Sequence, residues 1–191
     1  MKKKKRLVVG ITGASGVILG IRLLELARDL QLETHLVLSP AAQITLTKET
    51  DWKVEALQAL AKVVYPYQEI SAPIASGSFT TLGMVVVPCT IKTLSAIANS
   101  YTVDLITRAA DVTLKEGRPL ILVVRETPLH RGHLRLMNLA AEAGAVIFPP
   151  VPSFYARPQG LDDVITHLAG RILARLGIEN DNYPEWPDPQ D

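Results

Sequence analysis

Leu7-Val8-Val9-Gly10-Ile11-Thr12-Gly13-Ala14-Ser15-Gly16 is the stretch that decides the fold. Its first five residues form an apolar run of strand length without polar alternation, the pattern of a strand buried on both faces of a parallel sheet. Glycines at 10, 13 and 16 break the segment ahead of a helical pattern at Val17 to Leu30. A strand that ends in a glycine turn and opens a helix gathers free backbone N–H groups and a positive dipole end in one place, which favours a phosphate or another anion. A tight turn needing positive φ accounts for one or two of the three glycines without any ligand.

The same alternation continues outward. Four more strand-length apolar runs follow at His35 to Leu38, Met84 to Val87, Leu120 to Val124 and Val146 to Phe148. Helical periodicity fills the gaps at Ala41 to Lys48, Val54 to Lys62, Lys92 to Asn99, Leu105 to Glu116 and Leu134 to Ala143, with a last helix over Leu161 to Leu176. Five strands alternating with helices predict an α/β domain with a parallel sheet between two helical layers. Ser39 before Pro40 suits an N-cap and first helical position, Asp104 suits a second N-cap, and Gly117, Gly144 and Gly177 suit C-terminal caps. Right-handed crossovers then bring the carboxyl ends of the strands to one edge, where open α/β sheets bind ligands.

The 191 residues suit one domain, 1–191, with an extended tail over 179–191 that holds Pro184, Pro187 and Pro189. Twenty basic against nineteen acidic residues leave a formal charge of +1, which gives no reason to expect nucleic acid as a partner. The basic start at Lys2 to Arg6 resembles a secretory leader, but the three glycines interrupt the apolar segment such a leader needs, so it reads as a solvated run before a strand. No charge occurs between Glu69 and Lys92, yet Ser71, Pro73, Ser76, Gly77 and Pro88 within it exclude a membrane span. One cysteine, Cys89, rules out an intrachain disulfide and suits a reducing cytoplasm. On a tally that counts glycine rather than tyrosine, the apolar share rises slightly above the usual ~45–50%, which points to apolar surface buried between subunits.

Several residues at the carboxyl edge carry chemistry. The second strand ends in Ser39 instead of the acidic residue that holds the ribose of NAD, which argues against a dinucleotide. Ser39 can donate to a phosphate or flavin oxygen, or simply cap its helix. The third run enters Pro88-Cys89-Thr90-Ile91-Lys92-Thr93, a second candidate phosphate cradle. Cys89 reads as a small buried residue, and Thr90 and Thr93 as caps or ligands. The fourth run stops at Arg125-Glu126-Thr127-Pro128. Arg125 suits bidentate phosphate binding, and Glu126, at the rim of an apolar pocket, suits an acid or base with a raised pKa. Arg108, Asp111 and Lys115 share a helical face, as an exposed ion-pair stripe or, with an anionic ligand from another subunit, a binding face. His130 and His133 read as helix-start residues, and no metal site is expected.

The motifs Gly10-Ile-Thr-Gly-Ala-Ser-Gly16, Ser76-Gly-Ser-Phe79, Pro88-Cys-Thr-Ile-Lys-Thr93, Leu105-Ile-Thr-Arg-Ala-Ala-Asp111, Arg125-Glu-Thr-Pro-Leu129 and Pro149-Pro-Val-Pro152, taken together and in order, resemble the UbiX family of flavin prenyltransferases. The resemblance covers residues 6 to 186; its one departure is Thr90, where the family pattern has serine, and the hydroxyl survives. It implies a flavodoxin-like, Rossmann-like three-layer sandwich, a dodecameric assembly, and transfer of a dimethylallyl group from dimethylallyl phosphate to N5 and C6 of reduced FMN. The product, prenylated FMN, would serve a UbiD-type decarboxylase in ubiquinone synthesis or aromatic-acid breakdown. No metal is implied. Carried over, Gly13, Ala14, Ser15, Ser39, Thr90, Ile91, Lys92, Thr93 and Arg125 would bind FMN. Arg108, Lys115, Tyr155 and Arg171 would bind the prenyl phosphate. Glu126 would be the acid and base, Ser15 would orient the flavin or pass protons, and Glu49 and Trp186 would complete the pocket. Two rival readings are an FMN-dependent cysteine decarboxylase, which would show Pro-Ala-Ser-Ala-Asn-Thr at the third strand, and a non-catalytic flavin-binding electron carrier, which has no use for Glu126 and four phosphate-binding cations. A direct aromatic-acid decarboxylase is a further possibility within the same fold.

Overall fold

The computed structural model describes residues 5–186, so Lys2 to Lys4 and the prolines at 187 and 189 lie outside the described residues. Parallel strands β1 (Arg6–Ile11), β2 (Glu33–Leu38), β3 (Val63–Tyr65), β4 (Gly83–Cys89), β5 (Leu120–Val124) and β6 (Val146–Ile147) form one sheet in the order β3-β2-β1-β4-β5-β6. The helices are α1 (Val17–Asp29), α2 (Pro40–Glu49), α3 (Val54–Gln58), α4 (Ile91–Ala98), α5 (Leu105–Lys115), α6 (Arg131–Glu142) and α7 (Leu161–Arg175).

Alternation along the strands splits the core in two. Leu7, Val9 and Ile11 of β1 face one apolar cluster with α1 and α7, whereas Val8 joins Met84, Val86 and Leu122 under α4 and α5. Every residue of β4 and β5 is buried, as a sheet covered on both faces requires. The result is the three-layer α/β sandwich of the flavodoxin-like class.

The sheet has six strands, one more than the apolar runs predict. β3 is three half-buried residues at an edge, too short to stand out by pattern, and it merges in the sequence with the helix expected over Val54 to Lys62. That helix stops at Gln58, the chain turns, and the Lys62 N–H donates to Thr34 Oγ1 at 3.2 Å as it enters the sheet. Without β3 the remaining strands have the five-stranded order expected of a flavodoxin-like sheet. The sixth helix also starts earlier than its periodicity, at Arg131, because His130 is its N-cap and Nδ1 accepts the Gly132 N–H.

The caps are where the sequence puts them. Ser39 Oγ accepts the Ala42 N–H with Pro40 at the first helical position, and Asp104 and Thr107 form a reciprocal capping box. Gly117, Gly144 and Gly177 all have positive φ just past α5, α6 and α7. Among the described residues no helix is long and apolar enough to cross a membrane.

Candidate functional site

The Gly13–Gly16 turn stands between two clefts at the carboxyl edge. The glycines at 10, 13 and 16 have two causes between them. Gly16 alone has positive φ, +99°. Gly13 lies so close to the start of α2 that a Cβ would sit 2.5 Å from the Ala41 Cβ, and Gly10 faces Ile106 of α5, whose Cγ2 would be 3.1 Å from a Cβ. Positive φ therefore explains one of the three, and close approach of neighbouring helices explains the other two.

On the β2 and β4 side lies a smaller cleft of about 440 Å3, polar in the side chains it gathers though not in most of its surface: Ser39, Tyr67, Thr90, Lys92 and Thr93 line it beside Gly13, with Pro40 and Ala41. Two helix N-termini converge on it, α2 with its Ser39 cap and α4 with its Thr90 cap, and Thr90 Oγ1 also bonds Thr93 Oγ1 at 3.0 Å. Thr12 ties the floor together: its hydroxyl donates to the Pro88 carbonyl at 2.7 Å and accepts the Thr90 N–H at 2.9 Å. Lys92 Nζ donates to the Tyr67 hydroxyl at 3.1 Å and lies 3.4 Å from the buried Asp104 carboxylate. The Tyr67 hydrogen bond, more than any other influence, raises the Lys92 pKa, and burial together with Asp104 raises that of Tyr67, so the pair stays ammonium and neutral phenol at neutral pH. Hydroxyl donors, two helix ends and one fixed cation fit a phosphate monoester, the group FMN carries.

On the other side of the turn lies a larger cleft of about 700 Å3, walled mainly by apolar residues of α1 and α7 such as Ile18, Val164 and Leu168, with Trp52, Pro150 and Pro152. Ser15, Glu49, Thr50, Asp51 and Arg125 are its polar members. The Glu49 carboxylate accepts the N–H groups of Gly16 at 2.8 Å and Val17 at 3.3 Å. The first N–H groups of α1, predicted to await a phosphate, are thus held by a side chain of the protein itself, and the polar cleft offers the better phosphate site.

The remaining predicted residues fall into three places. Glu126 is exposed beside Arg125, outside the lining of both clefts, and its Oε1 accepts the Thr127 N–H at 3.0 Å. Tyr155 and Trp186 pack at a tilt of 59° with ring centroids 5.0 Å apart, the Tyr155 hydroxyl donates to the Pro184 carbonyl, and Arg171 lies 5.2 Å from the Tyr183 ring, so these three sit together along the returning C-terminal segment. Arg108 pairs with Asp111 at 3.1 Å, and Lys115 pairs with Glu116 at the far end of α5. An 11-residue helix is about 16 Å long, which separates Lys115 from the carboxyl edge within this chain. The Ser76-Gly-Ser-Phe79 motif is at that far end as well. Arg118 donates to the Gly77 and Phe79 carbonyls, and a Cβ on Gly77 would fall 2.0 Å from the Glu116 carboxylate.

Cys89 is buried in the core, and burial pushes its thiol up to about 12, which makes it inert as a nucleophile. Among the described residues no group of three His, Cys, Asp or Glu side chains is arranged to hold a metal ion. The sequence reading missed Thr12, Tyr67 and Trp52. Thr12 stands inside the glycine turn and could have been found there; Tyr67 and Trp52 reach the clefts from loops with no local signature.

The family model for flavoproteins matches residues 1–170. The flavin prenyltransferase UbiX of Escherichia coli strain K12 is 60% identical over 185 residues, covering 95% of this chain and 98% of that protein. The crystal structure of AnUbiX (PadA1) in complex with FMN and dimethylallyl pyrophosphate superposes with a TM-score of 0.95 at 46% identity, covering 97% of this chain and 99% of that one. The dodecameric FMN-dependent UbiX-like decarboxylase of Escherichia coli O157:H7 superposes with a TM-score of 0.93 at 42% identity, covering 96% and 100%.

Proposed function

We propose, from the premise that this chain belongs to the flavoproteins and among them to the UbiX family of flavin prenyltransferases, that it moves a dimethylallyl group from dimethylallyl phosphate to reduced FMN. The observation that carries this reading is the pair of clefts flanking Gly13–Gly16, one gathering hydroxyls, two helix N-termini and Lys92 suited to a phosphate monoester, the other walled by apolar residues of α1 and α7 with Arg125 as its one cation. Ser39, Thr90, Lys92 and Thr93 would hold the FMN phosphate, with Gly13, Ala14, Ser15 and Ile91 along the flavin. Bound reduced flavin supplies the nucleophilic N5 and C6 atoms that accept the prenyl carbons.

The protein's own residues serve departure of the phosphate and exclusion of water. Arg125 helps to hold FMN from the wall of the larger cleft, and the apolar wall of α1 and α7 keeps water from a carbon that carries positive charge during transfer. Glu126 protonates the departing phosphate and then takes up the proton released on ring closure. Tyr155 and Arg171 bind the donor phosphate, with Trp186 closing over them.

Arg108 and Lys115 fit this scheme only through assembly. Both are held in intrachain ion pairs on α5 and line neither cleft, so in this reading they serve a neighbouring subunit's site in a homo-oligomer. A dodecamer, as in the E. coli O157:H7 relative, is the assembly we adopt. The chain then works in the cytoplasm and hands prenylated FMN to a UbiD-type decarboxylase.

The test is anaerobic incubation of the protein with reduced FMN and either dimethylallyl phosphate or the pyrophosphate, followed by mass spectrometry of the released flavin. Addition of one prenyl unit supports the reading and identifies the preferred donor. Bound but unmodified FMN with both donors would overturn it.

A further inference from the structure

We infer that Tyr67 is a positioning residue, whose hydroxyl, anchored on the buried Asp104, holds the Lys92 ammonium over the polar cleft for the phosphate of the acceptor flavin. The inference rests on the reading of that cleft as the acceptor's phosphate site.

Lys92 is the one cation in the cleft lining, and its side chain is 67% exposed. A lysine so placed ordinarily samples many rotamers, and ordering it on binding costs affinity. Here two contacts within the protein hold it. Lys92 Nζ donates to Tyr67 Oη at 3.1 Å, and that hydroxyl donates to Asp104 Oδ2 at 2.5 Å. The other Asp104 oxygen accepts the Thr107 N–H at 2.9 Å and the Thr107 hydroxyl at 3.1 Å, so both oxygens are held and the anchor is rigid. Tyr67 is fixed at its backbone too, since its carbonyl accepts the N–H of Leu105, the first residue of α5, at 2.9 Å.

The order of donors explains why a phenol stands between the two charges. An ammonium has three N–H groups; Tyr67 and Asp104 occupy two, leaving one for an incoming oxygen. The short bond from Tyr67 takes up the carboxylate oxygen nearest Lys92, which weakens the pull of Asp104 on the ammonium. Without the hydroxyl, Lys92 settles onto Asp104 and away from the cleft.

Riboflavin, which lacks the phosphate, separates positioning from a general effect on the fold. Dissociation constants for FMN and for riboflavin are measured for the parent protein, Tyr67→Phe, Lys92→Met and the double variant, with thermal unfolding of each protein alone as a check on folding. Tyr67→Phe keeps the ring and the backbone bond to Leu105. The expected result is FMN affinity weakened about tenfold in Tyr67→Phe, riboflavin affinity unchanged, and a double variant no weaker than Lys92→Met. An unchanged FMN affinity in Tyr67→Phe, an equal loss for riboflavin, or additive losses in the double variant overturns the inference. If Lys92→Met binds FMN as the parent does, the placement of the phosphate fails, and the inference with it.

Discussion

The Glu49 carboxylate sits at the N-terminus of α1, 2.8 Å from the Gly16 nitrogen, although 33 residues separate the two. It satisfies N–H groups that the helix cannot satisfy itself and places a negative charge at the positive end of the dipole. It also keeps other anions out of that end of the apolar cleft. Glu49→Ala is expected to cost about 1 kcal/mol of stability in urea unfolding. It also opens an anion site, so added inorganic phosphate should raise the melting temperature of the variant more than that of the parent. Equal responses to phosphate would refute the idea that Glu49 occupies the site.

Glu126 is tested by a change that preserves shape. Glu126→Gln keeps an acceptor oxygen for the Thr127 N–H but cannot give or take a proton. FMN binding should stay unchanged, while prenylated product forms about 100- to 10,000-fold more slowly. A non-catalytic electron carrier predicts no such separation, and product formed at the parental rate would remove Glu126 from the chemistry.

What the sequence made legible was whatever depends on neighbours along the chain. Strand runs, the Ser39 and Asp104 caps and the three terminal glycines follow from local rules, and each is where those rules put it. β3 was hidden because Val63–Tyr65 gains strand character only by pairing with β2 at the sheet edge. That Ser39, Thr90, Lys92 and Thr93 would meet at one cleft was legible because they follow strand ends. The Tyr67 link to Lys92 was not, because it joins a loop to a helix 25 residues away. Nor could spacing alone show that Glu49 would reach back to Gly16. Asp104 was read as a cap, which it is, while its second oxygen accepts from Tyr67 and Lys92.

Cys89 gives a pH prediction with a definite sign. Burial raises its pKa from 9.0 to about 12 in the folded protein. The unfolded thiol releases its proton first as pH rises, so the unfolded state binds fewer protons above pH 9.0 and folding stability falls through the window up to about 12. Below that window the thiol contributes no pH dependence. A Cys89→Ala variant should show a shallower loss of stability with alkaline pH than the parent in denaturant titrations. In the folded parent at pH 8, a thiol reagent should react only on unfolding.

Arg108 and Lys115 offer the sharpest check on assembly. Within one chain they lie on α5 in pairs with Asp111 and Glu116, and neither lines either of the two clefts beside Gly13–Gly16. If each serves a neighbour's site, an Arg108→Ala protomer has an intact Glu126 to contribute, and a Glu126→Gln protomer has an intact Arg108. Each variant alone should assemble and turn over slowly. Mixed by co-expression in one assembly, they should regain part of the parental prenylation rate, because some interfaces pair the two intact halves. The recovered rate should depend on the mixing ratio and vanish when the two substitutions are placed in the same chain. No recovery in a confirmed mixed assembly would mean that Arg108 acts within its own subunit or only as an ion pair with Asp111.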